Sequence, residues 1–211
     1  MPAHIIESTS ALWNEVERIE LRKDAQTARY FIVAIPVELN NDDKVKLVVD
    51  YCQKNFVSDG MIADISFHSF DGTNPHAHVM LTLREINADG FGKKNRSWNE
   101  HTLMDKWRSS WTEMSNNILE KAGFENRIDH RSIEAQRKEY IELARIADES
   151  NDTDMNRKHL AQVIELTRKP LTRIHRCHWY SYEGRALRAA ETRQSLIAKQ
   201  NANDFRQSFK G

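Results

Sequence analysis

Residues 61–84 have the sequence MIADISFHSFDGTNPHAHVMLTLR, which contains two segments of alternating apolar and polar side chains. The first runs from Met61 to His68 and the second from His76 to Arg84. Successive side chains of a β-strand point to opposite faces, so each segment is predicted to be a strand with one apolar face. The Asp-Gly and Asn-Pro pairs between the segments favour a loop. The stretch therefore predicts an antiparallel hairpin with a long loop, an apolar back and a polar front.

Three histidines fall on the polar front of this hairpin. His76 and His78 are two residues apart on one strand, and His68 ends the other strand in the same phase. We expect the three rings to meet at one end of the sheet. Neutral imidazoles bind zinc, manganese and similar divalent ions, and three protein ligands with open positions are typical of catalytic metal sites. The alternative is a set of three surface histidines beside a loop, with no metal.

The elements around the hairpin indicate an α+β fold. Helices are predicted over residues 10–28, 40–56 and 99–122, and a strand over residues 29–36. Asn41 or Asp42 is expected to cap the second helix. The apolar stripe of that helix is predicted to comprise Val45, Val48, Val49, Cys52 and Phe56. The predicted fold is a small antiparallel sheet with helices packed on one face and the histidine site on the other.

The composition suggests two regions of different charge. The 211 residues carry no net charge, yet residues 137–211 contain 15 Lys and Arg against 10 Asp and Glu. A neutral total therefore does not argue against an anionic partner, because the positive charge is segregated. We expect a domain over residues 1–136 and a basic, helical C-terminal extension over residues 137–211.

The sequence gives no sign of a membrane or secretory location. No apolar run approaches the ~20 residues that a membrane helix needs, and the first residues do not resemble a signal peptide. The two cysteines, Cys52 and Cys177, lie far apart, as is common in a reducing compartment. We therefore expect a cytoplasmic protein without membrane insertion.

Two basic segments are candidates for nucleic-acid contacts. Lys93, Lys94 and Arg96 lie in a Gly-punctuated loop over residues 87–99, close to the predicted histidine site. In residues 168–188 aromatic side chains interleave with basic ones, a combination that suits single strands. The candidates in this second segment are Arg173, Arg176, Trp179 and Arg185. The alternatives are a solvated basic loop and an amphipathic helix or tail.

The histidine region resembles the MobA/MobL relaxases, the mobilization branch of the HUH endonucleases. The resemblance is carried by FHSFDGTNPHAHVMLTLREINADGFGKKNRSWN at residues 67–99, RKDAQTAR at 22–29 and IDHRSIEAQ at 128–136. It covers residues 4–136, approximately, and nothing beyond Gln136 is similar to a known motif.

The resemblance implies a DNA relaxase, a site-specific endonuclease and transesterase that nicks single-stranded plasmid DNA at a transfer origin. In the family a tyrosine attacks the scissile phosphate and forms a 5′-phosphotyrosine link. A divalent Mg, Mn or Zn ion polarises that phosphate, and His68, His76 and His78 match the family's ligands. The implied partners are origin DNA and other relaxosome or mobilization proteins.

Two departures from the family pattern bear on activity. The family's nucleophilic tyrosine lies in a segment before the first helix, and this segment is expected to be absent because the sequence begins downstream of it. The family strand that corresponds to residues 29–36 tends to carry two glutamates, and those positions are Tyr30 and Ile32 here.

The departures leave the nucleophile open. Tyr30 and Tyr51 are weak candidates for the nucleophile. Tyr30 lies on a strand face that can be directed towards the metal. Tyr51 is predicted to lie off the apolar stripe of its helix. Two further functions stay open: a non-catalytic DNA-binding accessory protein of a mobile element, and a metal-dependent phosphodiesterase in which water attacks.

Overall fold

The computed structural model describes residues 7–209 of the 211, apart from the side chain of Arg176. These residues form six α-helices and five β-strands in two compact units, which divide between His130 and Arg131. In the first unit the elements are α1 (Thr9–Ile19), β1 (Ala28–Ala34), α2 (Asn41–Asn55), β2 (Ala63–His68), β3 (His76–Thr82), β4 (Arg84–Asn87), β5 (Gly90–Lys94) and α3 (His101–Lys121). In the second unit they are α4 (Ile133–Glu149), α5 (Thr153–Glu165) and α6 (Tyr182–Gln207).

The first unit is built on a three-stranded antiparallel sheet in the order β1-β3-β2. In the β2–β3 pair His68 lies opposite His76, so residues 69–75 form the connecting loop. In the β1–β3 pair Ala34 lies opposite His76. The α+β class, the small antiparallel sheet and the long-looped hairpin predicted from the sequence are confirmed.

The apolar back of the sheet forms the main core. Ala77, Val79 and Leu81 alternate along β3, and each is 0% exposed. They belong to one cluster with Val48 and Phe56 from the α2 region and with aromatic residues near and on α3. The alternation seen in the sequence therefore places every second residue of β3 in the core and leaves the others for the front of the sheet.

The apolar stripe predicted for α2 is partly wrong. Val45 and Val49 are 39% and 45% exposed, whereas Leu47 and Tyr51 are each 3% exposed. The helix packs against α3 as well as against the sheet, so its buried face is rotated towards α3 relative to the predicted stripe. Tyr51 thus lies on the buried side of α2, and the prediction that it lies off the apolar stripe is wrong.

The predicted cap of α2 is also displaced by one residue. The side chain of Asn40 accepts a hydrogen bond from the backbone N–H of Asp43 at 2.8 Å, as an N-cap residue does. Asn41 instead lies inside the first turn and donates to Asp71 of the 69–75 loop.

The first helix is shorter than predicted and lies on the histidine side of the sheet. It ends at Ile19, and the carboxylate of Glu20 then pairs with Arg84 at 2.9 Å and Lys94 at 3.0 Å. The indole of Trp13 donates to Asp64 at 2.8 Å. Because Asp64 shares its face of β2 with His68, the expectation that helices occupy one face only is wrong for α1.

The segment predicted as a basic loop is a two-stranded hairpin. Strands β4 and β5 pair antiparallel, with Arg84 opposite Lys94. Gly90 has a φ of +115° at the turn, a backbone conformation that glycine adopts without strain. Ion pairs from Arg84 and Lys94 to Glu20 join the hairpin to the end of α1.

The second unit consists of helices that pack through small residues. Helix α4 packs on α5, and α5 packs on α6. The buried positions are mostly alanines, which allow close helix approach: Ala144, Ala147, Ala161, Ala198 and Ala202. Ser132, Asp152 and Ser181 cap the three helices. Across residues 7–209, none of the helices combines the length and apolar character needed to cross a membrane.

The N-cap of α2 can be tested by stability measurements. Replacing Asn40 with Ala removes the acceptor for the Asp43 N–H and is expected to lower the free energy of unfolding by about 1 kcal/mol. The side chain of Asp42 does not cap the helix. Replacing it with Ala is expected to lower the free energy of unfolding by only a few tenths of a kcal/mol, through the helix dipole. Urea unfolding followed by circular dichroism measures both, and equal losses would contradict the assignment of Asn40.

Candidate metal centre and nucleic-acid surface

The β2–β3 register brings the three predicted histidines together. His68 and His76 face each other across the strand pair, and His78 follows on the same face of β3. The ring centroids of the three pairs are 4.4, 5.1 and 5.5 Å apart. Each ring offers a nitrogen that lies within 4.8 Å of the nitrogens of the other two. The predicted convergence of His68, His76 and His78 is confirmed.

The loop that carries this cluster is fastened to α2 and β1. Lys44 is only 5% exposed, and its ammonium group donates to the carbonyl oxygen of Phe70 at 2.8 Å. The N–H of Ile35 donates to the carbonyl oxygen of Pro75 at 2.9 Å, directly before His76. Sequence patterns did not indicate Lys44, because a lysine on a helix is usually solvated and only the fold shows its buried partner.

Hydrogen bonds at Nδ1 orient two of the rings. In His76 this nitrogen is 2.8 Å from the carbonyl oxygen of Asn74. A carbonyl oxygen only accepts, so Nδ1 carries the proton and Nε2 keeps its lone pair. In His78 the Nδ1 atom is hydrogen-bonded to the hydroxyl group of Tyr30. Both rings therefore have Nε2 available as a ligand atom.

The electrostatics of the cluster suit a metal ion. Desolvation, together with the neighbouring His68 and His76, lowers the pKa of His78 from its ordinary value. The ring is accordingly neutral at neutral pH, which is the form that binds metals. His68 is exposed and the other two rings are half-buried, so solvent or substrate can reach the cluster. Three imidazole donors with an open side fit zinc, manganese or a similar divalent ion.

The two weak tyrosine candidates lie in different environments. Tyr30 and Ile32 are both 53% exposed on β1. Both side chains are on the histidine side of the sheet, because Ile32 is the cross-strand partner of His78. Tyr51 is buried, and its hydroxyl donates to the carbonyl oxygen of Trp107 at 3.1 Å. Desolvation raises the pKa of Tyr51, so this phenol has neither the access nor the acidity that a nucleophile needs.

The basic hairpin lies at the far end of β3 from the histidines. His76 begins β3 and Thr82 ends it, a span of about 20 Å at the rise of a strand. The β4–β5 hairpin starts two residues after Thr82, so the expectation that Lys93, Lys94 and Arg96 lie close to the histidines is wrong. The prediction was based on proximity in the sequence, but β3 is extended and places its two ends a full strand length apart.

The basic side chains of this hairpin, Lys93 and Lys94, and Arg96 just after it are not equivalent. Lys94 pairs with Glu20 and donates to the carbonyl oxygen of Gln26 at 2.6 Å, so it has a structural role. Lys93 and Arg96 are exposed, and neither forms an ion pair within the described part of the chain. Their charges are therefore available to an anionic partner.

The second basic segment is exposed on its own unit. Arg173 and Arg185 are exposed, and Trp179 is 43% exposed with the guanidinium of Arg188 4.3 Å from its ring centroid. The side chain of Arg176 lies outside the described residues. Tyr180 and Tyr182 are more open to stacking, at 81% and 82% exposed.

A cleft of about 570 Å³ runs beside the free edge of β1. It is lined by residues 29–34, by Met104, Trp107 and Trp111 of α3, and by residues 128–130. Trp107 is a buried member of the main core cluster and Trp111 packs against that cluster, so the α3 wall of the cleft is continuous with the core. Because the cleft combines three segments far apart in the sequence, no local motif indicates it.

A sheet packed on helices, with three converging imidazoles on its exposed side, defines an α+β domain with a candidate metal centre. The family model "MobA/MobL family" matches residues 1–158. The chain belongs to the MobA/MobL family, and the resemblance drawn from the histidine motif is confirmed. The match continues past Gln136, through α4 and into α5, where local motifs gave no indication.

Similar proteins carry names from plasmid transfer. The chain is 36% identical over 150 residues to conjugal transfer protein TraA of Agrobacterium fabrum, a match that covers 61% of the chain and 14% of that protein. It is 30% identical over 155 residues to mobilization protein MobL of Acidithiobacillus ferridurans, covering 57% of the chain and 41% of that protein. The chain therefore spans only part of these relatives.

A solved structure shares the fold. It is described as "Molecular Basis of Vancomycin Resistance Transfer in Staphylococcus aureus", and it aligns with a TM-score of 0.54 and 33% sequence identity. The alignment covers 57% of this chain and 66% of that one. The likeness thus extends from sequence motifs to the backbone.

The metal centre can be tested by calorimetric titration with Mn²⁺. We expect the unaltered chain to bind one ion, and the double variant His76→Ala, His78→Ala to bind more than ~10-fold more weakly, since even outer partners of a metal ligand contribute that much. The control is His101→Ala, His130→Ala, which removes two histidines outside the cluster. Equal affinity in all three proteins would exclude a metal centre at the histidines.

Proposed function

We propose that this chain is the DNA-processing domain of a mobilization relaxase, which binds single-stranded DNA at a transfer origin and acts on one phosphodiester. The observation that carries the proposal is the histidine cluster, whose ligand nitrogens lie within 4.8 Å of one another on an accessible sheet face. Membership of the MobA/MobL family and the names of its relatives support the same function.

His68, His76 and His78 would hold the metal in this function. A divalent ion bound there supplies a Lewis acid for a phosphoryl oxygen of the DNA. The chain's own contribution is to hold the imidazoles in position before substrate arrives. His76 and His78 are fixed at Nδ1, and Lys44 and Ile35 fasten the 69–75 loop. Such preorganisation avoids the cost of rearranging donors during the reaction.

The exposed basic side chains would bind the DNA backbone away from the scissile phosphate. Lys93 and Arg96 lie beyond the Thr82 end of β3, and that end is about 20 Å from His76 at the rise of a strand, so they suit flanking nucleotides. On the second unit, Arg173, Arg185 and the exposed aromatic residues around Trp179 combine charge with ring surfaces. Single strands bind to such combinations through phosphate contacts and base stacking.

The DNA contacts can be tested by salt dependence. The double variant Lys93→Gln, Arg96→Gln is expected to bind a fluorescein-labelled single strand of mixed sequence more weakly. The logarithm of the association constant decreases with the logarithm of the salt concentration. In the variant this slope should become shallower by about 0.7 for each phosphate that is no longer neutralised. The control, Lys46→Gln, Lys54→Gln, removes the same charge from α2, behind the sheet. Fluorescence anisotropy measures both, and equal slopes would exclude the hairpin from the DNA surface.

The reaction can be tested with end-labelled single strands that tile the DNA around the coding gene, incubated with the chain and Mn²⁺. We expect cleavage of one of these strands, abolished in His76→Ala, His78→Ala. Denaturing gels separate the mechanisms: a protein–DNA adduct indicates a tyrosine nucleophile, and cleavage without an adduct indicates attack by water. Binding without any cleavage would contradict the enzymatic proposal and leave a DNA-binding accessory protein.

A further inference from the structure

Tyr30 is not one of the three candidate ligands, yet it contacts the histidine cluster. It lies on β1 opposite Met80, diagonally across from His78 on the same face of the sheet. Its hydroxyl is hydrogen-bonded to Nδ1 of His78, and the two ring centroids are 5.6 Å apart. Diagonal pairs on a sheet are within reach when one member is aromatic, so the strand register alone brings these two residues together.

The contact engages the Nδ1 atom of His78, which leaves Nε2 as the nitrogen available to a metal. A neutral imidazole carries one proton, and a metal takes the nitrogen without it. With the Nδ1 atom of His78 engaged by the phenol, Nε2 is the nitrogen that remains free to act as a ligand. When Nε2 is a ligand, Nδ1 carries the proton and donates it to the phenolic oxygen of Tyr30. A hydrogen bond from a ligating histidine to such an acceptor fixes the tautomer and the ring orientation.

The other histidine of β3 is also held at Nδ1, but by a group that can only accept. His76 donates from Nδ1 to the carbonyl oxygen of Asn74 at 2.8 Å. Two of the three rings thus have Nδ1 bound by a neutral oxygen, one from the backbone of the loop and one from the edge strand. Tyr30 is the side chain that performs this task for His78, and its 53% exposure shows that it is not retained to fill the core.

We propose that Tyr30 is a positioning residue of the metal centre: it holds His78 as the Nδ1–H tautomer with Nε2 directed at the shared ligand point. This inference rests on the proposed function, because it assigns a role at the same histidine cluster. It goes beyond that function in stating how a residue of the edge strand sets the affinity of the site.

The chain offers matched variants for the test. Tyr30→Phe removes the hydroxyl and keeps the ring. Ile32→Val is the control, since Ile32 has the same 53% exposure and is the direct cross-strand partner of His78. Tyr30→Glu supplies a carboxylate, which is a stronger acceptor for an imidazole N–H. Thermal unfolding of each variant shows whether the fold is retained.

Calorimetry with Mn²⁺ gives the first measurement. Tyr30→Phe is expected to weaken binding ~10-fold or more, as removal of a ligand's hydrogen-bond partner does. Ile32→Val is expected to leave the affinity unchanged, and Tyr30→Glu to match or exceed the unaltered chain. Equal affinity in Tyr30→Phe and the unaltered chain would overturn the role of Tyr30 and leave the metal centre intact. Equally weakened binding in Tyr30→Phe and Ile32→Val would also overturn it, because it would indicate a packing effect.

Nitrogen-15 NMR of the imidazole side chains, without metal, gives an independent measurement. The signals of His78 are assigned by comparison with His78→Gln. We expect the Nδ1–H tautomer to predominate at His78 in the unaltered chain and to lose that predominance in Tyr30→Phe. An unchanged tautomer in Tyr30→Phe would overturn the proposal. This measurement stands even if the unaltered chain binds no metal, an outcome that would count against the proposed function alone.

Discussion

The pairing of β2 with β3 is the constraint on which the candidate site depends. Antiparallel register places His68 directly opposite His76, and the period of two places His78 on the same face. A slip of one residue in β3 would turn His76 and His78 into the core and bring Ala77, Val79 and Leu81 to the surface. Burial of those three side chains therefore also fixes where the imidazoles lie.

This arrangement couples the stability of the fold to the geometry of the site. One strand, β3, carries two of the candidate ligands on its front and core residues on its back, and it has a paired neighbour on each side. The loop before it is bound to the buried Lys44 of α2 and to Ile35 after β1. The backbone that carries the histidine rings is thus fixed by strand pairing and by these loop contacts.

The surroundings of the histidines come from residues that no local pattern connects to them. Tyr30 contacts His78 from the neighbouring strand β1, and Lys44 contacts the 69–75 loop from α2. Trp13 of α1 contacts Asp64 on the same sheet face as the histidines. Each of these interactions joins segments far apart in the chain. A periodicity assigns a residue to a face, but the partner on that face depends on how the strands and helices are arranged.

The sequence by itself determined the hairpin, its two faces and the three histidines, because the period of a strand is local and needs no knowledge of other segments. It also predicted the three helices of the first unit and, through the motif at residues 67–99, the family. Only the tertiary structure decided that Tyr51 is buried, that Lys94 pairs with Glu20, that the basic hairpin lies far from the histidines, and that Tyr30 contacts His78. Those outcomes depend on which elements pack together, since burial and pairing are properties of two surfaces in contact and not of one segment.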